Sequence, residues 1–547
     1  MRRYMLTAAV GLTLWAPGAA HGSVLTGRLL VTLDRSAPGA HASADAVLAR
    51  AHARRTSPLL SQLRLLTVRP TSGSLSSLAA RLRADPTVSH VEVEHRATIR
   101  AQPGDPALTV PEGAPGTAPG TPVEWWAARE GFPAAWDVTS GAGGLIGIID
   151  TGIDAGHPDL AGRIRKVVDQ DAGSNDPGHD DAGHGTHVAS FACAEGGNGI
   201  GLAGGAYGCG LIVERSDLSD FSVAQSIIDA TDRGADAINM SFGTDGSQPA
   251  AQGVVDAINY AYHRGVVLVA AAADDPIEEQ GDPSNVLQPT GTGPDLTRGK
   301  GLDVTAATFD DARASFGGRG TQISIAAYGA YAAAGGAGPR GLFGAFPGNL
   351  TQLDTGSVVP FAEPCNCRAA FNGDTRYAYL QGTSMAAPQV TAAAALVRHL
   401  NPDLTAADVI QIIKRTARQP AGGGWNADLG WGILNAGAAV AAARQTDRRA
   451  PVSKLTSSRR LSHGHLTLRI SGSDSAPAGV VASGIAHFEI WRSLNGATAR
   501  RITNTGKRTL RIKAARGSTY AFYSIAVDQA GNRESPPRRA DARVTLR

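Results

Sequence analysis

A chain of 547 residues that is 42% hydrophobic and 18% charged is too long for one core and too apolar for a disordered or fibrous protein, so two to four domains are expected. Its net charge of +3 argues against a polycationic nucleic-acid binder. That charge is unevenly spread: 13 basic and 5 acidic side chains fall in residues 1–100, 21 and 38 in 101–450, and 17 and 5 in 451–547. The three blocks carry +8, −17 and +12, and segments so different are expected to be separate folds.

Arg2 and Arg3, an apolar stretch from Met5 to Trp15 and the small residues around Ala20 read as a signal peptide over residues 1–22, which predicts secretion to the extracellular space. The run is shorter than the roughly 20 apolar residues of a membrane span. The export route stays open between the general and the twin-arginine pathways. Residues 23–100 alternate like strands at 29–33 and 88–94 and carry a helical pattern at 75–83, a small α+β unit. Residues 101–122, rich in Pro, Gly, Ala and Thr, read as an exposed linker, the kind of segment where chains are cut. Over 123–446, apolar runs at 145–149, 237–240 and 266–272 alternate with helical patterns at 222–233 and 254–264. That rhythm predicts an α/β fold, a parallel sheet with helices on both faces. Residues 451–547 hold short strand-like runs separated by turns, which predicts a β-sandwich resembling fibronectin type III or immunoglobulin-like modules. Four cysteines, Cys193, Cys209, Cys365 and Cys367, allow three pairings into two bridges in an exported protein.

Three local sequences in the middle block carry chemistry. In Gly147-Ile148-Ile149-Asp150-Thr151-Gly152 an apolar strand delivers Asp150 at its carboxyl end, where open α/β sheets place ligands. In His184-Gly185-Thr186-His187-Val188-Ala189 a histidine stands at a helix start. In Gly382-Thr383-Ser384-Met385-Ala386-Ala387-Pro388 a glycine permits close approach to Ser384, and the following helix offers N–H groups and a positive dipole end. Singly, each has a bland explanation as a turn cap, a structural histidine or an N-cap. Together, in the order Asp, His, Ser, they closely resemble the motifs of the subtilisin-like serine proteases.

The resemblance runs from about Trp125 to Arg444 and includes Gly430-Trp431-Gly432-Ile433-Leu434-Asn435-Ala436. It implies a subtilisin-like fold and a serine endopeptidase that hydrolyses polypeptide substrates through an acyl-enzyme. Ser384 would be the nucleophile, His184 the general base and Asp150 the group that orients the imidazole. His187 matches a structural histidine of the family. Ser241, Phe242 and Gly243 match the segment that pairs with extended substrate and walls the S1 pocket. Residues 23–100 resemble the family's inhibitory I9-like propeptide, so the chain would be made as a zymogen, its own propeptide acting as intramolecular inhibitor and chaperone. The chemistry requires no cofactor, but Asp159 and Asn198 match positions that bind structural Ca2+ in the family. The basic tail would suit an anionic cell-surface polymer, and a monomer is expected.

One position departs from the pattern. Where subtilisins follow the Val-Ala-Ala-Ala run with Gly-Asn, whose amide donates to the oxyanion, this chain has Ala273-Asp274-Asp275. An ionised carboxylate only accepts hydrogen bonds and would repel the oxyanion. Loss of such a donor costs about 2.7–4 kcal/mol, a magnitude taken from subtilisin itself. Three readings stay open: a slow enzyme, an enzyme with Asp274 held protonated as a donor and an acid-shifted optimum, or a non-catalytic binding protein on the same scaffold. Sedolisins use Asp in this role but replace the histidine that this chain keeps. The stretch 331–379, longer than the family minimum and carrying Cys365 and Cys367, would either border the cleft or form a plain stabilising excursion.

Overall fold

Alternating apolar side chains fix each layer of the molecule, seen here in a computed structural model that describes residues 24–34, 44–72, 74–96, 102–170, 178–332, 336–357, 363–420 and 422–547. The signal segment expected at residues 1–22 lies outside the described residues. Two compact units divide between Ala101 and Gln102.

In the first unit, strands β1 (Val24–Leu33), β2 (Ala53–Arg55), β3 (Leu65–Pro70) and β4 (Val88–Arg96) form an antiparallel sheet in the order β2-β3-β1-β4. Leu29, Val31 and Leu33 point to one face, as a period of two requires. Helices α1 (Ala44–Ala51) and α2 (Leu75–Arg83) cover that face with Val47, Leu48, Leu78 and Leu82. A reciprocal Ser74/Ser77 capping box starts α2.

The second unit opens with the stretch 102–122, which packs on it instead of standing clear as an exposed linker. Asp105 and Ala107 are fully buried, and Ala107 N donates to Gly201 O at 2.9 Å. After the short helices α3 (Trp125–Arg129) and α4 (Phe132–Trp136) come β5 (Leu145–Asp150), β6 (Ile164–Asp169), α5 (His184–Cys193), β7 (Gly210–Arg215), α6 (Asp220–Asp232), β8 (Ala237–Met240), α7 (Gln252–His263) and β9 (Val267–Ala271). One turn of helix, α8 (Ser284–Leu287), precedes β10 (Gly301–Ala307) and β11 (Ile325–Tyr328). Strands β5 to β11 pair in parallel in the order β11-β10-β9-β8-β5-β7-β6.

This is the expected α/β architecture. Ile146 and Ile148 of β5 face one core, shared with α5 and the long helix α10 (Thr383–Leu400) described below; Ile149 faces the other, with α6 and α7. Gly147 is there because a Cβ would stand 3.1 Å from Ala230 of α6 and 3.0 Å from Ile238 of β8. The strand order reverses beside β5, so a crevice opens at its carboxyl end, where Asp150 stands.

Between β11 and α10 lies a small antiparallel sheet of β12 (Leu342–Ala345), β13 (Arg368–Phe371) and β14 (Asp374–Leu380), with the one-turn helix α9 (Gln352–Thr355). Disulfides join Cys193 to Cys209 and Cys365 to Cys367. Helices α11 (Ala406–Thr416) and α12 (Ala436–Gln445) follow, α11 starting at a Thr405/Asp408 capping box.

The chain then forms two antiparallel sheets, one of β15 (Val452–Ser457), β16 (His465–Ser473) and β19 (Thr509–Lys513), the other of β17 (Ile485–Leu494), β18 (Arg500–Thr505), β20 (Thr519–Asp528) and β21 (Ala542–Thr545). Leu455, Leu466 and Leu468 from the first sheet meet Phe488, Ile490 and Phe522 from the second in one core, the expected sandwich.

Candidate active site

Asp150 ends β5 and His184 begins α5, and the two ends meet: His184 Nδ1 donates to Asp150 Oδ1 at 2.8 Å. Thr151 N donates to the same oxygen at 2.8 Å. The helix start is fixed by Asp180, a buried carboxylate absent from the sequence reading. It accepts from Gly183 N and Thr186 N, both at 2.8 Å, from Thr186 Oγ1 at 2.7 Å and from Thr151 Oγ1 at 2.8 Å. Gly185 lets α5 close on β5, since a Cβ there would lie 2.2 Å from Gly152 O. Burial pulls the His184 pKa down, but the Asp150 charge and hydrogen bond, aided by Asp180 and Asp274, outweigh it and leave it above its ordinary value. His187, one turn of helix further on, is buried against the Ala378 carbonyl and its pKa is pushed down to about 3. It is a neutral core residue.

Ser384 is the second residue of α10, where the first four N–H groups of a helix lack intrahelical acceptors. Its Oγ donates to the Ser241 carbonyl at 3.1 Å, so its one hydroxyl hydrogen is not given to His184. Ser241 Oγ in turn donates to Ser384 O at 2.9 Å. Ser384, His184 and Asp274 nevertheless line the same cavities, and Ser241, Phe242 and Gly243 line the one that also contains Asp150. The expected substrate-side residues are therefore brought together with the Asp–His pair and the serine.

Asp274 sits beside this serine. Its Oδ1 accepts from Thr383 N at 2.8 Å and from Thr383 Oγ1 at 2.9 Å, so Thr383 belongs to the site although the sequence reading gave it no role. A Cβ on Gly382 would come within 2.9 Å of Asp274 Oδ2, which explains the glycine. Burial raises the pKa of Asp274, and the neighbouring Asp275 adds to this; the Thr383 hydrogen bonds and His184 oppose it without reversing it.

Asp159 and Asn198 also meet, Asn198 Nδ2 donating to Asp159 Oδ1 at 2.9 Å. Asp159 Oδ2 accepts from Tyr377 OH at 3.0 Å. Asp105 approaches the same loop, accepting from Gly197 N at 2.7 Å and Gly199 N at 3.2 Å. Burial pushes Asp159 up to about 6 and raises Asp105 and Glu124, with Asp159 and Asp105 each adding repulsion at Glu124. Glu124 Oε1 is buried and has no hydrogen-bond partner among the described residues. Three buried carboxyl groups, Asp105, Asp159 and Glu124, thus crowd negative charge around one loop, a donor set of the oxygen type that hard cations take. Asp105 was hidden because its surroundings read as linker.

The block that holds these residues is similar to known proteins. The family model "Peptidase_S8: Subtilase family" matches residues 141–432. An "Extracellular protease" of Xanthomonas campestris pv. campestris is 30% identical over 417 residues, 67% of this chain and 61% of that protein. A "Thermophilic serine proteinase" of Bacillus sp. strain AK1 is 32% identical over 298 residues, 53% of this chain and 60% of that protein. "Thermitase" of Thermoactinomyces vulgaris is 30% identical over 301 residues, 53% of this chain and 87% of that protein. The chain thus spans about three fifths of the length of the first two.

Proposed function

The chain belongs to the subtilase family, and we propose that it is a secreted serine endopeptidase acting on polypeptides through Asp150, His184 and Ser384. The observation that carries this is the 2.8 Å Asp150–His184 contact opening into the cavity that Ser384 lines at the start of α10. An extended substrate whose amide N–H takes the Ser241 carbonyl displaces the Ser384 hydroxyl from it and frees that hydroxyl to turn to His184. His184 then takes the proton as Oγ attacks, and later delivers it to the leaving amine. Asp150 holds the tautomer that leaves the other ring nitrogen free to accept. The developing oxyanion is met by the Ser384 N–H and the helix dipole, and by Asp274 when protonated.

In this reading residues 23–100 are the inhibitory propeptide, their +6 charge (11 basic and 5 acidic side chains) opposite to the −17 of residues 101–450, which hold the block they would restrain. Structural Ca2+ would be held by Asp105, Asp159 and Asn198, where it would neutralise the buried carboxylates. A non-catalytic binding protein is the competing reading. It draws on Asp274, whose two hydrogen bonds accepted from Thr383 suit the ionised form that disfavours an oxyanion.

Expression of the whole chain beside Ser384→Ala separates the two. Cleavage near residues 101–122 that the alanine variant loses supports the protease. An uncut chain without peptidase activity, or a cut that survives in Ser384→Ala, overturns it.

A further inference from the structure

Strands β15, β16 and β19 turn alternate side chains to the core of the sandwich. Leu455, Leu466, Leu468 and Ile470 are buried and Leu510 and Ile512 pack against them, so the intervening positions form one outer face. Lys454, Arg469, Arg511 and Lys513 occupy that face, and all four are exposed. The pairing register sets where each one stands. Lys454 lies opposite Ser471, Arg469 opposite Thr509, and Arg511 opposite Thr467. Lys454 and Arg469 are therefore diagonal neighbours across β15 and β16, as Arg469 and Arg511 are across β16 and β19, about 7–8 Å apart at each step. Lys513 continues the line two residues along β19, about 7 Å further. The positive charges thus cross the sheet as one oblique row.

No carboxylate answers this row. The sandwich has five acidic side chains, and each is engaged elsewhere. Glu489 takes Arg501 and Arg533, Glu534 accepts from Ser453 N at 2.8 Å and Ala526 N at 2.9 Å, and Asp541 accepts from Ser524 N at 2.9 Å. Asp474 accepts from Gly484 N at 2.6 Å and Asp528 from Asn532 N at 2.7 Å. Thr456 and Thr509 flank Arg469 in the register and bring hydroxyl donors to the same face. No Phe, Tyr or Trp stands on these three strands, so a base or a sugar ring has nothing to stack on. Val452, exposed at one corner, is the one apolar side chain of the face, too little area to anchor it in lipid.

We propose that this face is a binding site for a linear polyol phosphodiester, a polymer with one negative charge per short repeat and no rings. It lies obliquely across β15, β16 and β19 with successive phosphates on Lys454, Arg469, Arg511 and Lys513. The spacing supports this choice. An extended peptide advances about 3.5 Å over three bonds, so a chain with six bonds per phosphate, as in a glycerol phosphate repeat, advances about 7 Å and keeps step with the row. Arg meets a phosphate with two parallel N–H bonds and Lys meets it as a point charge. The site stands whether or not the triad is active.

The test titrates the full chain carrying Ser384→Ala, which keeps it uncut, with soluble poly(glycerol phosphate) at several salt concentrations. Four neutralised phosphates predict that log Kd rises with log salt at a slope of about 3. Arg469→Gln/Arg511→Gln should weaken binding by at least about tenfold at low salt and lower the slope by about 1–2. Arg469→Lys/Arg511→Lys, which keeps the charges, should stay within about threefold of the parent. Arg538→Gln/Arg539→Gln removes the same charge from the exposed connection between β20 and β21, off this face, and should change Kd by less than about twofold. Equal losses in the two glutamine variants would mean that net charge alone attracts the polymer, and would overturn the proposal. So would the absence of binding, or binding that salt leaves unchanged. An oligothymidylate of equal phosphate count and vesicles of phosphatidylglycerol carry the same phosphodiester on other frames. Weaker binding to both supports the polyol chain; tighter binding to either assigns the face to nucleic acid or to lipid and overturns it.

Discussion

In the proposed protease, Asp274 would set the pH dependence of the site. As an oxyanion donor it acts only when protonated, whereas His184 acts as a base only when neutral. Burial raises the first pKa and Asp150 raises the second above its ordinary 6.5. Between the two pKa values the share of Asp274 still protonated falls tenfold per pH unit while the share of His184 already neutral rises tenfold, so their product is a low plateau centred midway. The expected profile of kcat/KM is a bell with its optimum below the His184 pKa. Asp274→Asn supplies a donor at every pH, so its profile should become a single limb rising through the His184 pKa, with neutral activity at least about tenfold above wild type. Equal neutral rates for the two proteins would refute Asp274 as the donor. A second residue, Asp303 on β10, is fully buried and its pKa is pushed up to about 8. The folded state then keeps a proton that the unfolded chain releases above about 3.9, so Asp303 removes stability as pH rises from about 4 to 8, at about 1.4 kcal/mol per unit. Asp303→Asn should lose that slope, and the difference in Tm between variant and wild type should widen from pH 4 to pH 8 and then level off.

At the scale of elements, the motifs that a short window contains were legible and the contacts between windows were not. Asp150 at the end of an apolar run, His184 at a helix start and Ser384 behind a glycine each follow from local pattern, and the parallel sheet follows from the alternation of runs and helices. Asp180 escaped because what it holds is backbone N–H groups, and Thr383 because it gives its own backbone N–H to Asp274; neither contact leaves a mark on composition. The stretch 102–122 misled for a related reason. Its Pro and Gly content is that of a linker, yet Asp105 meets the N–H groups of Gly197 and Gly199 some ninety residues away. That contact brings a prediction. If the Asp105–Asp159–Asn198 loop holds Ca2+, a chelator should lower Tm, by an amount that grows with the free Ca2+ it removes; at 100 times Kd the bound ion is worth about 2.7 kcal/mol. Asp105→Asn should carry most of that loss already and respond little to chelator. Calorimetry with and without Ca2+ decides it, and an unchanged wild-type Tm would reject the site.

The whole molecule is polarised in charge, and its acidic and basic blocks are joined firmly at residues 444–447. Arg444 Nε donates to Gly479 O at 3.1 Å, Val481 N to Arg444 O at 2.9 Å and Ser483 N to Asp447 Oδ2 at 2.7 Å, so the sandwich is seated on the end of α12. Within it, five acidic side chains face seventeen basic ones, and Glu489 alone takes both Arg501 and Arg533. Most of the positive charge is thus left to the surface of the last hundred residues. Removal of residues 1–100 leaves a chain of net −5 whose two parts have opposite sign. Net charge would send that protein away from an anionic surface, whereas a local patch would hold it there, because exposed charges act over about 10 Å at 0.1 M salt and not over the whole molecule. The chain from residue 102 onward should therefore be retained by a sulfonate resin at low ionic strength and pH 7, and released as salt rises. A shorter chain ending at residue 446 should pass straight through. Flow-through of the longer chain, or retention that salt does not relieve, would show that the sandwich does not attach the protein by charge.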